Sequence, residues 1–588
     1  MPFFRSTLAA ISIGFCAAPA FAQQAADSVQ PEAASSMRPA SSEPAKAKKF
    51  MVAAANPLAA EAGVAILKKG GNAIDAMVTT QLVLNLVEPQ SSGIGGGAFL
   101  VYFDAKAGRL TSFDGRETAP AGVDPKLFLD EAGDPLTFYD AVAGGRSVGT
   151  PGTLRLLYET HQRFGNLDWA VVVQPAIDLA TDGFDVSPRL SQLIGEDSER
   201  LKRFSGTREY FFDKAGEPLK SGTPLKNAAF AETLKTIADK GAAGFYEGAV
   251  AEAIVRTVQN AEGNPGRLAL SDLDNYRVIE REPVCLTYRV YDVCGMGPPS
   301  SGALTVGQIL GLIEPTDVKD LGPGSPRAWR LIGDASRLAF ADRGRYMADI
   351  DFVPMPLKGL LDKDYLASRS KLLDGDKALA EDAVKPGTPP WDHAMLLGDD
   401  SAIELPSTSH FSIVDGAGNV VSITTTIENG FGSRLMTGGF LLNNELTDFS
   451  FETHDEAGQT IANAVAPGKR PRSSMAPTIV MMDGKPFLAI GSPGGSRIIG
   501  YVAEALIAVL DWKMNVQEAA SLPHLVNRFG TFDVEAGTDA AKLAGPLRDA
   551  GFEVKETDLN SGIHAIAITP DGLEGGADPR REGVAVGE

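Results

Sequence analysis

A threonine stands where a loop-like segment meets a predicted β-hairpin. The hairpin consists of FSIVD (411–415) and VVSITTTI (420–427), which are rich in β-branched residues and are joined by the turn sequence GAGN. The preceding residues, 371–407, accumulate Pro, Gly and acidic residues and show no periodicity. Thr408 therefore lies where a strand could hold a hydroxyl group in a fixed position.

A threonine hydroxyl is a weak nucleophile and needs a base beside it. If the chain is cut just before Thr408, its new α-amine supplies that base, because an α-amine has a pKa of about 7.7–8.0 and is partly neutral near neutral pH. Thr is also common at the start of ordinary strands. The residues alone leave both interpretations open.

Other patterns of catalytic or binding residues are weaker. The sequence GRSVG (145–149) matches the nucleophile elbow GxSxG, but the strand that should precede it is poor, which favours a Gly-rich lead-in to a helix. The glycine runs GIGGGA (93–98) and GSPGGSR (491–497) match neither the P-loop nor GxGxxG. The six histidines are scattered, without HExxH or paired CxxC, so we predict no metal site and no cofactor.

Two cysteines flank a short predicted hairpin, CLTYRVYDVC. A two-residue turn at Arg289 and Val290 would place Cys285 directly opposite Cys294, where side chains of an antiparallel pair come closest. In an oxidising compartment this arrangement favours a disulfide. Two free thiols are the alternative.

The N-terminal 22 residues have the pattern of a secretory signal peptide. Arg5 precedes an apolar run from Leu8 to about Ala18, and Ala20-Phe21-Ala22 is a small-x-small cleavage site. The run is too short for a membrane span, and no later stretch reaches 18 uninterrupted apolar residues. We therefore expect a periplasmic or secreted protein without membrane insertion. Residues 23–48 are rich in Ala, Ser and Pro, which predicts a disordered tether.

Composition and element order indicate one large α/β unit. Of the 588 residues 44% are hydrophobic, and the net charge of −21 argues against a nucleic acid or an anionic membrane as partner. Helical and strand patterns alternate in two halves, which predicts a layered α/β sandwich.

Eight motifs, in register from about residue 50 to 585, closely resemble those of the γ-glutamyltranspeptidases (glutathione hydrolases), which are N-terminal-nucleophile hydrolases. They are NPLAAEAGVAILKKGGNAIDAMV, VEPQSSGIGGGAFLVY, PPSSGALTV, TSHFSIVDGAGNVVS, LLNNELTDFS, GKRPRSSMAPTIV, GSPGGSRII and ADPR. The resemblance implies an αββα sandwich formed jointly by two chains cut from one precursor. These would be a large chain, 49–407, and a small catalytic chain, 408–588.

The resemblance also assigns the reaction to named residues. It implies cleavage between Ser407 and Thr408, with Thr408 as nucleophile in both autocleavage and catalysis. Thr426 would orient the Thr408 amine. The backbone N–H groups of Gly494 and Gly495 would stabilise the oxyanion of the tetrahedral intermediate.

The implied substrate is an L-γ-glutamyl amide such as glutathione, whose donor end is a zwitterion. Its α-carboxylate would bind Arg116, Ser473 and Ser474, and its α-ammonium would bind Glu445 and Asp448. The acyl group would pass through a γ-glutamyl-threonine ester to water, an amino acid or a peptide.

Two departures from the family pattern bear on the donor range. Glu428 stands where several members carry Asn, and it could help to hold the ammonium group. The loop between Phe449 and Lys469 contains no Tyr or Trp, although some members close the donor site with an aromatic residue from this region. Alternatives are a glutaryl-cephalosporin-type acylase, a poly-γ-glutamate-acting enzyme of the same fold, and an uncut, non-catalytic binding protein.

Overall fold

The structure is a computed structural model that describes Glu32 and residues 41–391, 396–400, 402, 404–405 and 407–588. The predicted signal peptide, 1–22, and most of the predicted tether, 23–48, lie outside the described residues. The tether prediction is wrong for its last residues, because Ala45–Ala47 pairs with a strand near the C-terminus. Glu32 is also held, since its carboxylate accepts hydrogen bonds from the Arg189 guanidinium at 2.7 and 2.9 Å.

The described residues form twenty-one strands, most of which are short. They are β1 (Ala45–Ala47), β2 (Met51–Ala54), β3 (Gly97–Asp104), β4 (Arg109–Gly115), β5 (Phe184–Asp185), β6 (Pro224–Leu225), β7 (Ile279–Arg281), β8 (Val284–Tyr288), β9 (Tyr291–Gly295), β10 (Ser409–Val414), β11 (Val420–Thr426), β12 (Met436–Thr437), β13 (Phe440–Leu441), β14 (Thr478–Met482), β15 (Lys485–Gly491), β16 (Leu525–Asn527), β17 (Thr531–Glu535), β18 (Glu553–Thr557), β19 (His564–Thr569), β20 (Gly572–Ala577) and β21 (Val584–Gly587).

The same residues form twenty α-helices, concentrated between the first strands and the hairpin. They are α1 (Pro57–Lys68), α2 (Ala73–Val87), α3 (Phe138–Val142), α4 (Thr153–Phe164), α5 (Trp169–Asp182), α6 (Pro188–Glu196), α7 (Ser198–Leu201), α8 (Ser205–Phe211), α9 (Ala228–Lys240), α10 (Ala243–Tyr246), α11 (Gly248–Gln259), α12 (Leu270–Asn275), α13 (Gly302–Ile313), α14 (Val318–Leu321), α15 (Pro326–Tyr346), α16 (Leu357–Leu360), α17 (Lys363–Ser370), α18 (Ile498–Leu510), α19 (Val516–Ser521) and α20 (Ala541–Ala550).

Two seven-stranded antiparallel sheets form the centre of the molecule. One has the order β1-β20-β19-β15-β14-β9-β8, and the other has the order β21-β2-β10-β11-β3-β4-β7. Strands β10 and β11 pack across the interface on β15 and β19. Helices α1, α2 and α4 pack on the second sheet, and α13 and α18 pack on the first. Helix α5 packs on α2, and α15 packs on α13. The predicted αββα sandwich is confirmed.

Strand alternation explains how the second sheet buries both faces. On β3, Phe99 and Val101 belong to the core shared with the first sheet, whereas Leu100 and Tyr102 pack towards α1 and α2. Successive strand side chains point to opposite faces, so a strand buried on both sides reads as a continuous apolar run. No helix in the described part of the chain is long and apolar enough to cross the membrane.

The first two helices begin where their capping residues predict. Asn56 accepts a hydrogen bond from the Leu58 N–H at 3.0 Å, with Pro57 in the first helical position. Asn72 accepts from the Asp75 N–H at 3.1 Å, and the Asp75 carboxylate accepts from the Asn72 N–H at 2.8 Å, which completes a capping box. These caps fix the residues at which α1 and α2 begin.

The two predicted hairpins form, and the one with the two cysteines has the expected register. Cys285 lies opposite Cys294 in the β8–β9 pair, and a disulfide joins them. In the hairpin formed by β10 and β11, Ser409 pairs with Thr425. Thr408 thus lies one residue before β10, next to the end of β11.

Candidate active site

The chain is continuous at the predicted cleavage site, where two hydroxyl groups approach one carbonyl. The Thr408 hydroxyl donates to the Ser407 carbonyl oxygen, and the Thr426 hydroxyl donates to the same oxygen at 3.4 Å. The Glu428 N–H donates to the Thr426 hydroxyl at 2.7 Å and so holds it at the end of β11. On the other side, an Arg581 N–H donates to the Thr408 carbonyl at 3.2 Å. The carbonyl groups of the residues before and after the Ser407–Thr408 bond are therefore both held by hydrogen bonds.

Gly494 and Gly495 lie between β15 and α18, on the sheet facing the hairpin. Their φ angles are +136° and +58°, in the range that favours glycine. A Cβ on Gly494 would lie 2.8 Å from the Tyr501 ring. A 3₁₀ turn, Gly495–Arg497, leads directly into α18, so these backbone N–H groups lie at the positive end of a helix dipole.

The residues before the cleavage site fill the space beside these glycines. The carbonyl oxygens of Leu405 and Glu404 would be 2.6 and 3.1 Å from a Cβ on Gly495. The space that remains in the pocket is only about 20 Å³, enough for about one water molecule. A ligand the size of a γ-glutamyl group cannot enter while this segment is in place.

The pocket brings together the predicted site residues. Of the residues predicted for catalysis, cleavage and substrate binding, only Gly494 does not line the pocket. The wall consists of Arg116, Glu404, Leu405, Ser407, Thr408, Thr426, Glu428, Glu445, Asp448, Ser473, Ser474, Met475, Gly495 and Ile498.

Arg116 is the central cation of one side of the pocket and is fully buried. Its two terminal nitrogens donate to the carboxylates of Glu445 and Asp448. It also donates to the backbone carbonyls of Arg472 and Pro471, at 2.8 and 3.2 Å. In the uncut chain the guanidinium therefore has carboxylate partners from the protein itself.

Three carboxyl groups of the pocket, those of Glu428, Glu445 and Asp448, are shifted towards their neutral form. Burial raises the pKa of Asp448 well above its usual range, although the charge of Arg116 acts against this shift. Burial, together with the negative charge of Glu445, raises the pKa of Glu428 to about 8. One Glu428 oxygen accepts from the Leu405 N–H at 3.2 Å, and the other accepts from the Asn444 side chain.

The other side of the pocket contains residues that the sequence analysis did not select. Arg343, from α15, donates to the Glu404 carboxylate and also to the Ser474 hydroxyl at 2.7 Å. The Ser474 hydroxyl in turn donates to Glu404. A nitrogen of Arg472 lies 3.6 Å from the same carboxylate. Arg472 lies within the motif GKRPRSSM and could have been selected from it. Arg343 lies in none of the motifs.

Ser147, the serine of the GRSVG pattern, lies outside this pocket. Ser147 lies in a buried 3₁₀ turn, Gly145–Ser147, and its hydroxyl donates to the Val142 carbonyl at 2.6 Å. It does not line the pocket that contains Thr408. In the described residues, no group of three or more His, Cys, Asp and Glu side chains is arranged to hold a metal ion.

Comparison with known proteins agrees with this geometry. The family model described as gamma-glutamyltranspeptidase matches residues 59–588. The glutathione hydrolase proenzyme of Bacillus subtilis (strain 168) is 38% identical over 552 residues, covering 92% of each protein. The acylase ACY 1 proenzyme of Pseudomonas sp. (strain SE83) is 35% identical over 551 residues, covering 92% of this chain and 94% of the acylase.

A solved structure extends the similarity to the three-dimensional fold. The cephalosporin acylase from Bacillus halodurans superposes with a TM-score of 0.82 at 27% identity, covering 94% of this chain and 98% of that one. The family model spans nearly the whole described chain, and the similarity to curated relatives covers both predicted chains. The chain belongs to the gamma-glutamyltranspeptidase family.

Proposed function

We propose that this protein is an exported precursor that cuts itself between Ser407 and Thr408 and then acts as a γ-glutamyltransferase and glutathione hydrolase. One observation carries the proposal. The Ser407 carbonyl oxygen accepts hydrogen bonds from Thr408 and Thr426 at the edge of a pocket that contains Arg116 and several carboxyl groups. A nucleophile, a scissile bond and a zwitterion-binding site therefore adjoin one another.

Autocleavage begins with attack of the Thr408 hydroxyl oxygen on the Ser407 carbonyl carbon. The C–N bond breaks, the hydroxyl proton ends on the nitrogen, and an ester joins Ser407 to the Thr408 side chain. The Thr408 α-amine is thereby free, and water then hydrolyses the ester to give the Ser407 carboxylate and the Thr408 hydroxyl. The Thr426 hydroxyl stabilises the negative charge that develops on the carbonyl oxygen.

In the cut enzyme the α-amine of Thr408 accepts the hydroxyl proton as the oxygen attacks the γ-carbonyl of the donor. The N–H groups of Gly494 and Gly495 bind the oxyanion of the tetrahedral intermediate. The amine of the leaving group takes up the proton and departs, leaving a γ-glutamyl ester on Thr408. Water or the amine of an amino acid or peptide then takes the acyl group by the reverse steps.

Recognition of the donor follows from the charges of the pocket. Arg116, Ser473 and Ser474 provide donors for the α-carboxylate, whereas Glu445 and Asp448 accept from the α-ammonium. Glu428 lies in the same pocket, and its pKa of about 8 lets it ionise when a cation binds beside it. The three buried carboxyl groups of Glu428, Glu445 and Asp448 favour a donor that carries an ammonium group.

A glutaryl-type acylase is the second candidate, because an acylase proenzyme and a cephalosporin acylase are among the similar proteins. Glutaryl donors have the carboxylate of a γ-glutamyl group but lack its ammonium. The two functions therefore differ in whether Glu428, Glu445 and Asp448 contribute to binding of the donor.

Paired donors separate the two candidates. The purified cut protein is assayed with γ-glutamyl-p-nitroanilide and with glutaryl-p-nitroanilide, and acid-quenched samples are digested to locate the acyl group by mass spectrometry. We expect a preference for the γ-glutamyl donor of about 100-fold or more in kcat/KM, since two or more charge-assisted contacts are lost with the ammonium, and a γ-glutamyl ester on Thr408. Activity on the glutaryl donor alone would overturn the proposal in favour of the acylase.

A further inference from the structure

The residues just before the proposed cut are bound to the rest of the molecule at several points. The Leu405 N–H donates to a Glu428 carboxyl oxygen at 3.2 Å, and the Ser407 hydroxyl donates to the Gln90 carbonyl at 2.9 Å. A further point is the carboxylate of Glu404, which is buried although it carries a charge. A buried charge is costly unless it is well paired, so the contacts of Glu404 are the ones that fix the segment most firmly.

Both carboxylate oxygens of Glu404 accept hydrogen bonds. One oxygen accepts from the Arg343 guanidinium, and the other accepts from the Ser474 hydroxyl. A nitrogen of Arg472 lies 3.6 Å from the first oxygen. Burial alone would raise the pKa of Glu404, but the charges of Arg343 and Arg472 outweigh burial and lower it. The carboxylate is therefore ionised and held in one place.

Arg343 is a firm anchor because its own position is fixed. It lies in the last turns of α15 and is buried. One N–H donates to the hydroxyl of Ser301, the residue before α13, at 2.8 Å, and another donates to the Ser474 hydroxyl at 2.7 Å. A planar guanidinium with several fixed hydrogen bonds holds a carboxylate in a defined direction. The anchor thus ties the segment to two helices of the scaffold.

The anchor lies close to the scissile bond along the chain. Glu404 and Ser407 are three residues apart, so even a fully extended chain would place their Cα atoms no more than about 10 Å from each other. A shift of the Glu404 carboxylate is therefore passed on to the Ser407 carbonyl, which the Thr408 hydroxyl contacts. A misplacement of about 1 Å at a reacting centre can slow a reaction about 100-fold.

We propose that Glu404 is a positioning residue for autocleavage. Anchored by Arg343 and Ser474, its carboxylate holds the segment, and the segment presents the Ser407 carbonyl to the Thr408 hydroxyl. The anchor serves the precursor alone, because this segment fills the pocket and must leave before a donor binds. The inference rests on the proposed function and adds a residue that sets how fast the precursor matures. It leaves the binding of the donor as assigned above.

Two substitutions of Glu404 separate its position from its charge. Glu404→Gln keeps the length of the side chain and removes the charge, whereas Glu404→Asp keeps the charge and draws the carboxylate back by about 1.5 Å. We expect both to slow the appearance of the small chain about 10- to 100-fold on a denaturing gel. Once cut, both should cleave γ-glutamyl-p-nitroanilide with the kcat/KM of the unmodified enzyme, because the residue has left the pocket.

The outcomes for these two variants decide the role of the residue. If Glu404→Asp is cut at the unmodified rate, Glu404 only balances the charge of its arginines, and the inference fails. A lowered kcat/KM in either cut variant would place Glu404 in the mature site and would also overturn it. Rates refer to the folded fraction, which near-UV circular dichroism measures in the Thr408→Ala background. A Glu404 variant that does not fold there would show a role in folding rather than in positioning.

A double-mutant cycle tests the partner. If Glu404 acts through Arg343, Arg343→Gln should slow cutting by a similar factor, and adding it to Glu404→Gln should slow cutting less than about twofold further. Multiplicative losses would show that the two residues act independently and would overturn the anchor. Asp334→Asn is the matched control, since it removes another buried carboxylate paired with an arginine of α15, Arg337 at 3.1 Å. It should change the rate less than about twofold, and a slowing equal to that of Glu404→Gln would show a general loss of stability instead.

Failure of the inference differs from failure of the proposed function. If the unmodified protein is cut before Thr408 and the Glu404 variants are cut equally fast, only the inference fails. If the unmodified protein remains a single chain, the proposed autocleavage itself fails.

Discussion

The cleavage junction and the donor pocket adjoin each other but are built in different ways. At the junction, hydroxyl groups and backbone atoms of one hairpin hold Thr408, and the ladder between β10 and β11 fixes their positions. In the pocket, charged side chains converge from distant segments, as in the contacts of Arg116 with Glu445 and of Arg343 with Glu404. The proposed nucleophile is thus positioned by local structure, whereas the proposed recognition of the donor depends on the assembled fold.

The largest effect should come from the junction. Thr408→Ala removes the hydroxyl that attacks, so the protein should remain a single chain and have no measurable activity. Thr408→Ser keeps a hydroxyl and should still be cut. A denaturing gel and a p-nitroanilide assay measure both properties. Cleavage of the alanine variant at the same bond would show that another group attacks.

The next largest effect should come from the pocket. In the uncut Thr408→Ala background, Arg116→Met leaves Glu445 and Asp448 buried without their cation and should lower the free energy of unfolding by about 3–5 kcal/mol. Arg109→Met removes a half-exposed arginine paired with Glu280 and should cost about 1 kcal/mol or less. Urea unfolding measures both. Equal losses would contradict the charge arrangement described for the pocket.

Neighbouring threonines on β11 test the hydrogen bond to the scissile carbonyl. Thr426→Val removes the hydroxyl that donates to Ser407 and should slow autocleavage about 10- to 100-fold. Thr425→Val is the matched control, because the described structure gives the Thr425 hydroxyl no hydrogen-bond partner. The rate of appearance of the small chain is the measurement. Similar rates in the two variants would remove Thr426 from the mechanism.

The last effect concerns the pH dependence of stability. The Glu428 carboxyl has a pKa of about 8 in the folded chain, against 4.5 ordinarily. Its contribution is therefore fully present below about pH 4.5 and is lost as pH rises towards 8, by up to about 1.4 kcal/mol per pH unit. In the Thr408→Ala background, Glu428→Gln should remove this decline in urea unfolding between pH 5 and 8. Parallel curves for the two proteins would contradict it.

Local elements could be predicted from the sequence because their signals are local. The capping residues Asn56 and Asn72 mark the starts of α1 and α2. The turn at Arg289 sets the register that brings Cys285 opposite Cys294. The alternation of helix and strand patterns indicated the layered sandwich, which the two sheets confirm.

The pairing of charges could not be predicted in the same way. Arg116 and Glu445 are 329 residues apart, and Arg343 and Glu404 are 61 residues apart. No sequence pattern links residues that are this far apart, because their contacts depend on where loops meet after folding. The tether prediction was wrong at Ala45–Ala47 for a related reason, since a short edge strand is stabilised by its partner strand rather than by its own composition.

The central claim is that the hydroxyl and the α-amine of one residue act together once the bond before it has been cut. The most direct test is N-terminal sequencing of the smaller chain from the purified active protein. The account predicts a single sequence beginning Thr408-Ser409-His410. A fully active protein that remains intact, or a small chain that begins at any other residue, would contradict it.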